Sequence, residues 1–149
     1  IKATCTHTPM LSGLKGPGGR MDSYDHKMSK SNPNNAVLLH DDHDLLKKKM
    51  KKAFLEVGNP SSAIFEIVEH VILPRLGSVK VIPDPKYGVP SEYADLESFS
   101  NAVSEGAIHP LDAKMAVADG IAEVLSPISE HFSSRTELIS AMNSITGSQ

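Results

Sequence analysis

Tryptophan is absent from this chain, and aromatic residues make up only 5% of its 149 positions. A core must then rest on Leu, Ile, Val, Met and Ala, which suits helices. Cysteine is limited to Cys5, so no internal disulfide can form, and a reducing compartment fits. No apolar run reaches about 18 residues, and no transmembrane span is expected. The opening Ile1-Lys2-Ala3-Thr4-Cys5-Thr6 lacks the long apolar stretch of a signal peptide, and with no initial Met the chain reads as a piece of something larger. Positive charge is also short. Lys and Arg total 15 against 18 Asp and Glu, a net charge of −3, which excludes a globally basic nucleic-acid binder. Any RNA contact must come from a local patch or from base recognition. The length, with 40% hydrophobic residues, suffices for one compact domain or a small domain plus part of another.

Periodicity then divides the chain. Ile1, Ala3 and Cys5 alternate with polar residues, a short strand. Residues 12 to 35 are rich in Gly, Pro and Asn, and a long loop in a compact domain tends to be functional. A helix is expected from Asp41 or Asp42 to about Val57, with Leu46, Met50, Ala53, Phe54 and Val57 as its apolar stripe and Gly58-Asn59-Pro60 as its end. A second should start near Ser61 and run to about Leu73, with Ile64, Val68, Val71 and Ile72 inward. Residues 78 to 90, where Val79 and Val81 alternate, predict a strand or hairpin arm. A third helix is expected over about 92 to 104, stopping at Gly106. A fourth begins at Pro110, carries Met115, Ala118, Ile121, Ala122 and Leu125, and is ended or kinked by Pro127. A last helix covers about 134 to 145.

Lys27-Met28-Ser29-Lys30-Ser31 is the strongest chemical signal. It sets two ammonium groups three residues apart on a glycine-flanked loop, with hydroxyls and backbone N–H groups between them. Such a loop can close over a polyphosphate, so that the lysines meet charge developing on the α-phosphate and departing pyrophosphate. Transfers at phosphorus need positioning and charge neutralisation more than a nucleophilic side chain.

This pentapeptide, followed by Asn32-Pro33-Asn34-Asn35-Ala36-Val37, resembles the second signature of class I aminoacyl-tRNA synthetases, in their tyrosyl and tryptophanyl branch. His7-Thr8-Pro9-Met10-Leu11-Ser12-Gly13-Leu14 resembles the segment by which that branch leaves its last Rossmann strand. Lys49-Met50-Lys51-Lys52-Ala53-Phe54 and Gly58-Asn59-Pro60 resemble the first helix of its C-terminal domain and the turn after it. The resemblance implies that Lys27 and Lys30 face the phosphates of ATP, the substrate taken with Mg2+, while Met28, Ser29 and Ser31 complete the loop and the serines order its closed form. The segment 15 to 26 is longer than this pattern implies and should be mobile.

Gly106-Ala107-Ile108-His109-Pro110-Leu111-Asp112-Ala113-Lys114 and Lys86-Tyr87-Gly88 are similar to elements of tyrosyl-tRNA synthetases of the archaeal and eukaryotic kind. By that resemblance Tyr87 and His109 sandwich the first anticodon base, a guanine, and Asp112 accepts from its edge. Pro110 and Leu111 pack nearby, and Lys114 meets phosphate. Stacking on aromatic rings is a usual mode of single-stranded RNA recognition, and a carboxylate can accept from both guanine N1–H and N2–H2. Plainer roles exist for each residue alone: helix entry for His109, dipole complement for Asp112 and loop anchor for Tyr87. The run Lys47-Lys48-Lys49-Lys51-Lys52 either tracks a phosphate backbone or is a solvated helix face. No metal site is expected at His40-x-x-His43, which reads as a helix start with no cysteine nearby.

The fold class implied is mostly α. Residues 1–40 would end a Rossmann-like α/β catalytic domain carrying the KMSKS loop, and 41–149 would form a helical anticodon-binding domain with a small β hairpin. The parent would be a cytoplasmic tyrosine–tRNA ligase whose partners are tRNA(Tyr), tyrosine and ATP, dimeric or a fused pseudo-dimer through the missing domain. No His-x-Gly-His, the first signature of the class, occurs in the sequence. A tryptophanyl enzyme and a non-catalytic RNA-binding module are the rival readings.

Overall fold

The computed structural model describes residues 5, 7–16, 27–29, 31–58 and 62–146. Six α-helices and one strand pair follow a short 3-10 turn at Pro33–Asn35. They are α1 (His43–Lys52), α2 (Ala63–Ile67), a π turn (Val68–Ile72), α3 (Leu73–Leu76), β1 (Val79–Val81), β2 (Ser91–Tyr93), α4 (Leu96–Ser104), α5 (Pro110–Ser133) and α6 (Thr136–Thr146). The predominance of helix matches the expectation. The strand expected at residues 1 to 5 and the segment 17–26 fall outside the described residues, apart from Cys5, which has no regular structure.

Caps explain where the helices start. Asp42 ends the extended approach to α1, and its carboxylate accepts from the Leu45 N–H at 2.7 Å. Asp95 does the same for α4, accepting from the Ser98 N–H at 2.7 Å. That helix begins later than the pattern predicts because residues 91 to 93 pair with β1 instead, in the register Val79↔Tyr93, Lys80↔Glu92 and Val81↔Ser91. The expected hairpin arm is thus half of an antiparallel pair, with Val79 and Val81 buried and Lys80 outward.

Three further boundaries differ from the sequence reading. First, α1 stops at Lys52, and Phe54 and Val57 are exposed rather than part of its stripe. The chain leaves the helix because the Phe54 N–H donates to the Leu14 carbonyl at 2.6 Å, a tertiary bond that local pattern cannot anticipate. Second, the second helix is three segments, widened into a π turn just before Pro74. A proline cannot donate and its ring crowds the preceding turn, which the wider winding relieves. The left-handed Gly77, φ 78°, then ends it. Third, Pro127 lies inside α5 and does not end it; the helix continues to Ser133. Pro127 and Glu123 one turn earlier are both exposed, so water can take the carbonyl that loses its partner.

The core forms around α5. Its small residues Ala113, Ala116 and Ala118, with Val117 and Ile121, are buried and let α1, β1 and the π turn approach closely. Leu46 and Met50 come from α1, and Ile64, Phe65 and Ile67 from α2. The Phe99 ring packs edge-on to Phe65 at 6.0 Å and to Tyr93 at 5.8 Å, tying α4 to the strands and α2. Such pairs contribute about 0.5–1.5 kcal/mol beyond area burial. Among the described residues no helix is long and apolar enough to cross a membrane.

Candidate functional site

The chain around the signature loop is fastened from both sides. Ser12 and Lys27 form an isolated antiparallel bridge, and the Met28 N–H donates to the Leu11 carbonyl at 3.0 Å. The loop residues Lys27 and Ser31 are exposed, while Met28 and Ser29 are half-buried. Lys30 lies outside the described residues. The Ser29 hydroxyl accepts from the Ser31 N–H at 3.4 Å, a weak contact within the loop.

Beneath the bridge, Ser12 is held by α2. Glu66 accepts from the Ser12 N–H at 2.7 Å with one oxygen and from the Ser12 hydroxyl at 2.9 Å with the other. The available sequence signal for Glu66 was a single carboxylate inside the apolar run Ala63-Ile64-Phe65-Glu66-Ile67-Val68, where a half-buried charge needs a partner. Asn35, on the 3-10 turn, closes the other side. Its side-chain oxygen accepts from the Lys15 N–H at 2.7 Å, and its backbone carbonyl accepts from the Leu14 N–H at 3.1 Å. Gly13 permits this contact, because a Cβ there would sit 2.3 Å from Asn35 Nδ2.

Downstream, Lys49 is buried. Its ammonium donates to Asp41 Oδ2 at 2.6 Å and to the Ala36 carbonyl at 3.0 Å. The same Asp41 oxygen accepts from the Leu38 N–H at 2.8 Å. Lys49 therefore drops out of the candidate RNA-facing lysine run, leaving Lys47, Lys48, Lys51 and Lys52 on the outside of α1. Lys47 is itself paired with Asp119 of α5 at 3.2 Å, and His43 contacts the same oxygen at 2.6 Å. These exposed pairs are worth little individually.

The second set of candidates lies at the start of α5 and on the connection between β1 and β2. The His109 ring, on an exposed side chain, accepts the Leu111 N–H through Nδ1 at 3.1 Å, a helix-entry cap. Pro110 occupies the first helical position, where its missing N–H costs nothing. Asp112 follows in the first turn, half-buried, where the dipole favours its charge. Leu111 is exposed, and partial burial holds the Lys114 ammonium below its ordinary lysine pKa. Tyr87 is 84% exposed, so it is no buried anchor. Asp84 builds the turn that presents it, accepting from the Tyr87 N–H at 2.8 Å and, through its side chain, from the Lys86 N–H at 2.9 Å. β1 packs on the middle of α5, with Val79 and Lys80 beside Ala116, Asp119 and Gly120.

Residues 2–126 match the family model for tRNA synthetases class I (W and Y). The tyrosine–tRNA ligase of Aeropyrum pernix is 37% identical over 140 residues, covering 85% of this chain and 38% of its own length. That of Sulfurisphaera tokodaii is 35% identical, covering 91% of this chain and 40% of its own length. The crystal structure of Pyrococcus horikoshii tyrosyl-tRNA synthetase with L-tyrosine superposes with a TM-score of 0.77 at 30% identity, over 91% of this chain and 39% of that one. The chain spans about two fifths of the length of these relatives. It belongs to the tyrosyl and tryptophanyl family of class I aminoacyl-tRNA synthetases.

Proposed function

We propose that this chain is the ATP-loop and anticodon-binding portion of a tyrosine–tRNA ligase. Residues 1–40 close the catalytic domain, a Rossmann-like unit in its missing part, and 41–149 form the anticodon-binding domain. Lys27 and Lys30 face the ATP phosphates during formation of tyrosyl-adenylate, with Met28, Ser29 and Ser31 shaping the loop. Mg2+ would arrive with the nucleotide. The complete enzyme then transfers tyrosine to tRNA(Tyr), and pairs as a homodimer or fused pseudo-dimer through the domain not present here. The names of the curated relatives favour tyrosine over tryptophan.

The observation that carries the RNA half is the exposure of Tyr87. A large aromatic ring left open to solvent on a hydrogen-bonded turn suits the stacking of an unpaired base. His109 offers a second flat ring at the head of α5, and Asp112 a carboxylate three residues on, suited to the N1–H and N2–H2 edge of guanine. Pro110 and Leu111 line the same helix entry, and Lys114 supplies a cation for phosphate.

The test is binding of tRNA(Tyr) carrying guanine, or adenine, as first anticodon base. Asp112→Ala should reduce discrimination between them by about 1–3 kcal/mol, by analogy with a lost bidentate base contact. Unchanged discrimination would remove Asp112 from the reader.

A further inference from the structure

We propose that Glu66 is a positioning residue for the phosphate loop, fixing through Ser12 the backbone from which Lys27 projects. The inference rests on the reading of Lys27 as a phosphate-facing cation. Its own footing is geometric. Both oxygens of one carboxylate are committed to one residue, at 2.7 Å to the Ser12 N–H and 2.9 Å to the Ser12 hydroxyl. Charge-assisted bonds of this kind are short, directional and stronger than neutral ones. Ser12 is in turn the bridge partner of Lys27, and the Met28 N–H is bonded to Leu11. A continuous path therefore runs from α2 through Glu66 and Ser12 to the first lysine of the loop.

A role as phosphate ligand is excluded by charge. A carboxylate near an anion-binding loop repels the anion, so Glu66 acts on the loop's geometry. Nor does α2 need Glu66 to form: Phe65 and Ile67, its buried neighbours, supply the packing. Misplacement of a charge-stabilising group by about 1 Å costs on the order of a hundredfold in rate. Holding the loop base is thus a task with a kinetic readout.

Two measurements test this. In the present chain, amide hydrogen exchange at Met28 should quicken in Glu66→Ala. In the complete ligase carrying this segment, kcat of tyrosine-dependent pyrophosphate exchange should fall roughly ten- to a hundredfold, with KM for tyrosine unchanged. Glu66→Gln keeps a carbonyl for the Ser12 N–H and an amide donor for the Ser12 oxygen, and should restore most of both. If Glu66→Ala does not fold, Ser12→Ala probes the same contact from the loop side and should lower kcat several-fold. Unchanged Met28 exchange and kcat, or a loss accounted for entirely by the unfolded fraction, overturns the proposal. Lys27→Ala separates the two layers. If that variant keeps full kcat, the phosphate-loop reading fails; if it loses kcat while Glu66→Ala does not, only the positioning role fails.

Discussion

At the scale of single residues, the most informative side chain is Lys49. In the sequence it is one of five lysines, set apart only by its place three after Leu46 and four before Ala53 on the apolar stripe; its side chain is 6% exposed and Asp41's is 1%. The chain around Ala36 to Asp41 is folded over it, and the contact spans eight positions, too far for helical periodicity to flag. Removing one member of a buried pair leaves an uncompensated charge. Lys49→Met should therefore destabilise by about 3–5 kcal/mol in urea unfolding, against about 0.5 kcal/mol or less for Lys48→Met on the exposed side. Equal effects at the two positions would show that burial of Lys49 does not matter. Glu66 and Asn35 were similarly hidden, since their partners come from a loop whose path no local rule sets. By contrast Lys27, Tyr87, His109 and Asp112 stand out in the sequence only as candidates, because their types and order resemble a family pattern; the structure adds how each is presented.

At the scale of elements, the sequence was most readable where a cap coincided with a change of pattern. Pro110 opens α5 where expected, and Gly106, with φ 77°, closes the turn after α4. It was least readable where tertiary contacts won. The Phe54–Leu14 bond shortens α1, and strand pairing delays α4. The cap of α4 makes a pH prediction. Hydrogen bonds from Ser98, chiefly its backbone N–H, hold the Asp95 carboxyl below its ordinary pKa. A carboxyl depressed in the folded state adds stability above its unfolded value of about 4 and loses it as pH falls through the folded value. Asp95→Asn should thus lower Tm at pH 7, and the gap to the parent should narrow progressively below about pH 4. A gap that stays constant to the lowest pH would mean that the charge contributes nothing to the cap.

At the scale of the whole molecule, the proposed division of labour sets what this chain does alone. On that proposal it holds one lysine-bearing loop and an RNA reader, and its sequence has no His-x-Gly-His signature. Residues 1–149 with tyrosine and ATP should therefore give no pyrophosphate exchange, whereas the complete enzyme should exchange with tyrosine and not with tryptophan. Turnover by the isolated chain would refute the division, and preference for tryptophan would reassign the amino acid.

The ties beneath the loop also bear on how such enzymes can be recombined. Contacts that cross the line between residues 40 and 41 include Ser12 with Glu66, Leu14 with Phe54, Ala36 with Lys49 and Leu38 with Asp41. A crossover placed at that line would join a loop base from one parent to helices from another and ask these contacts to be met by strangers. Exchange of the proposed anticodon-reading module, by a protein engineer or by descent, is expected to carry residues 12 to 41 along with the helices, so that the heritable unit begins upstream of the proposed boundary between the two functions.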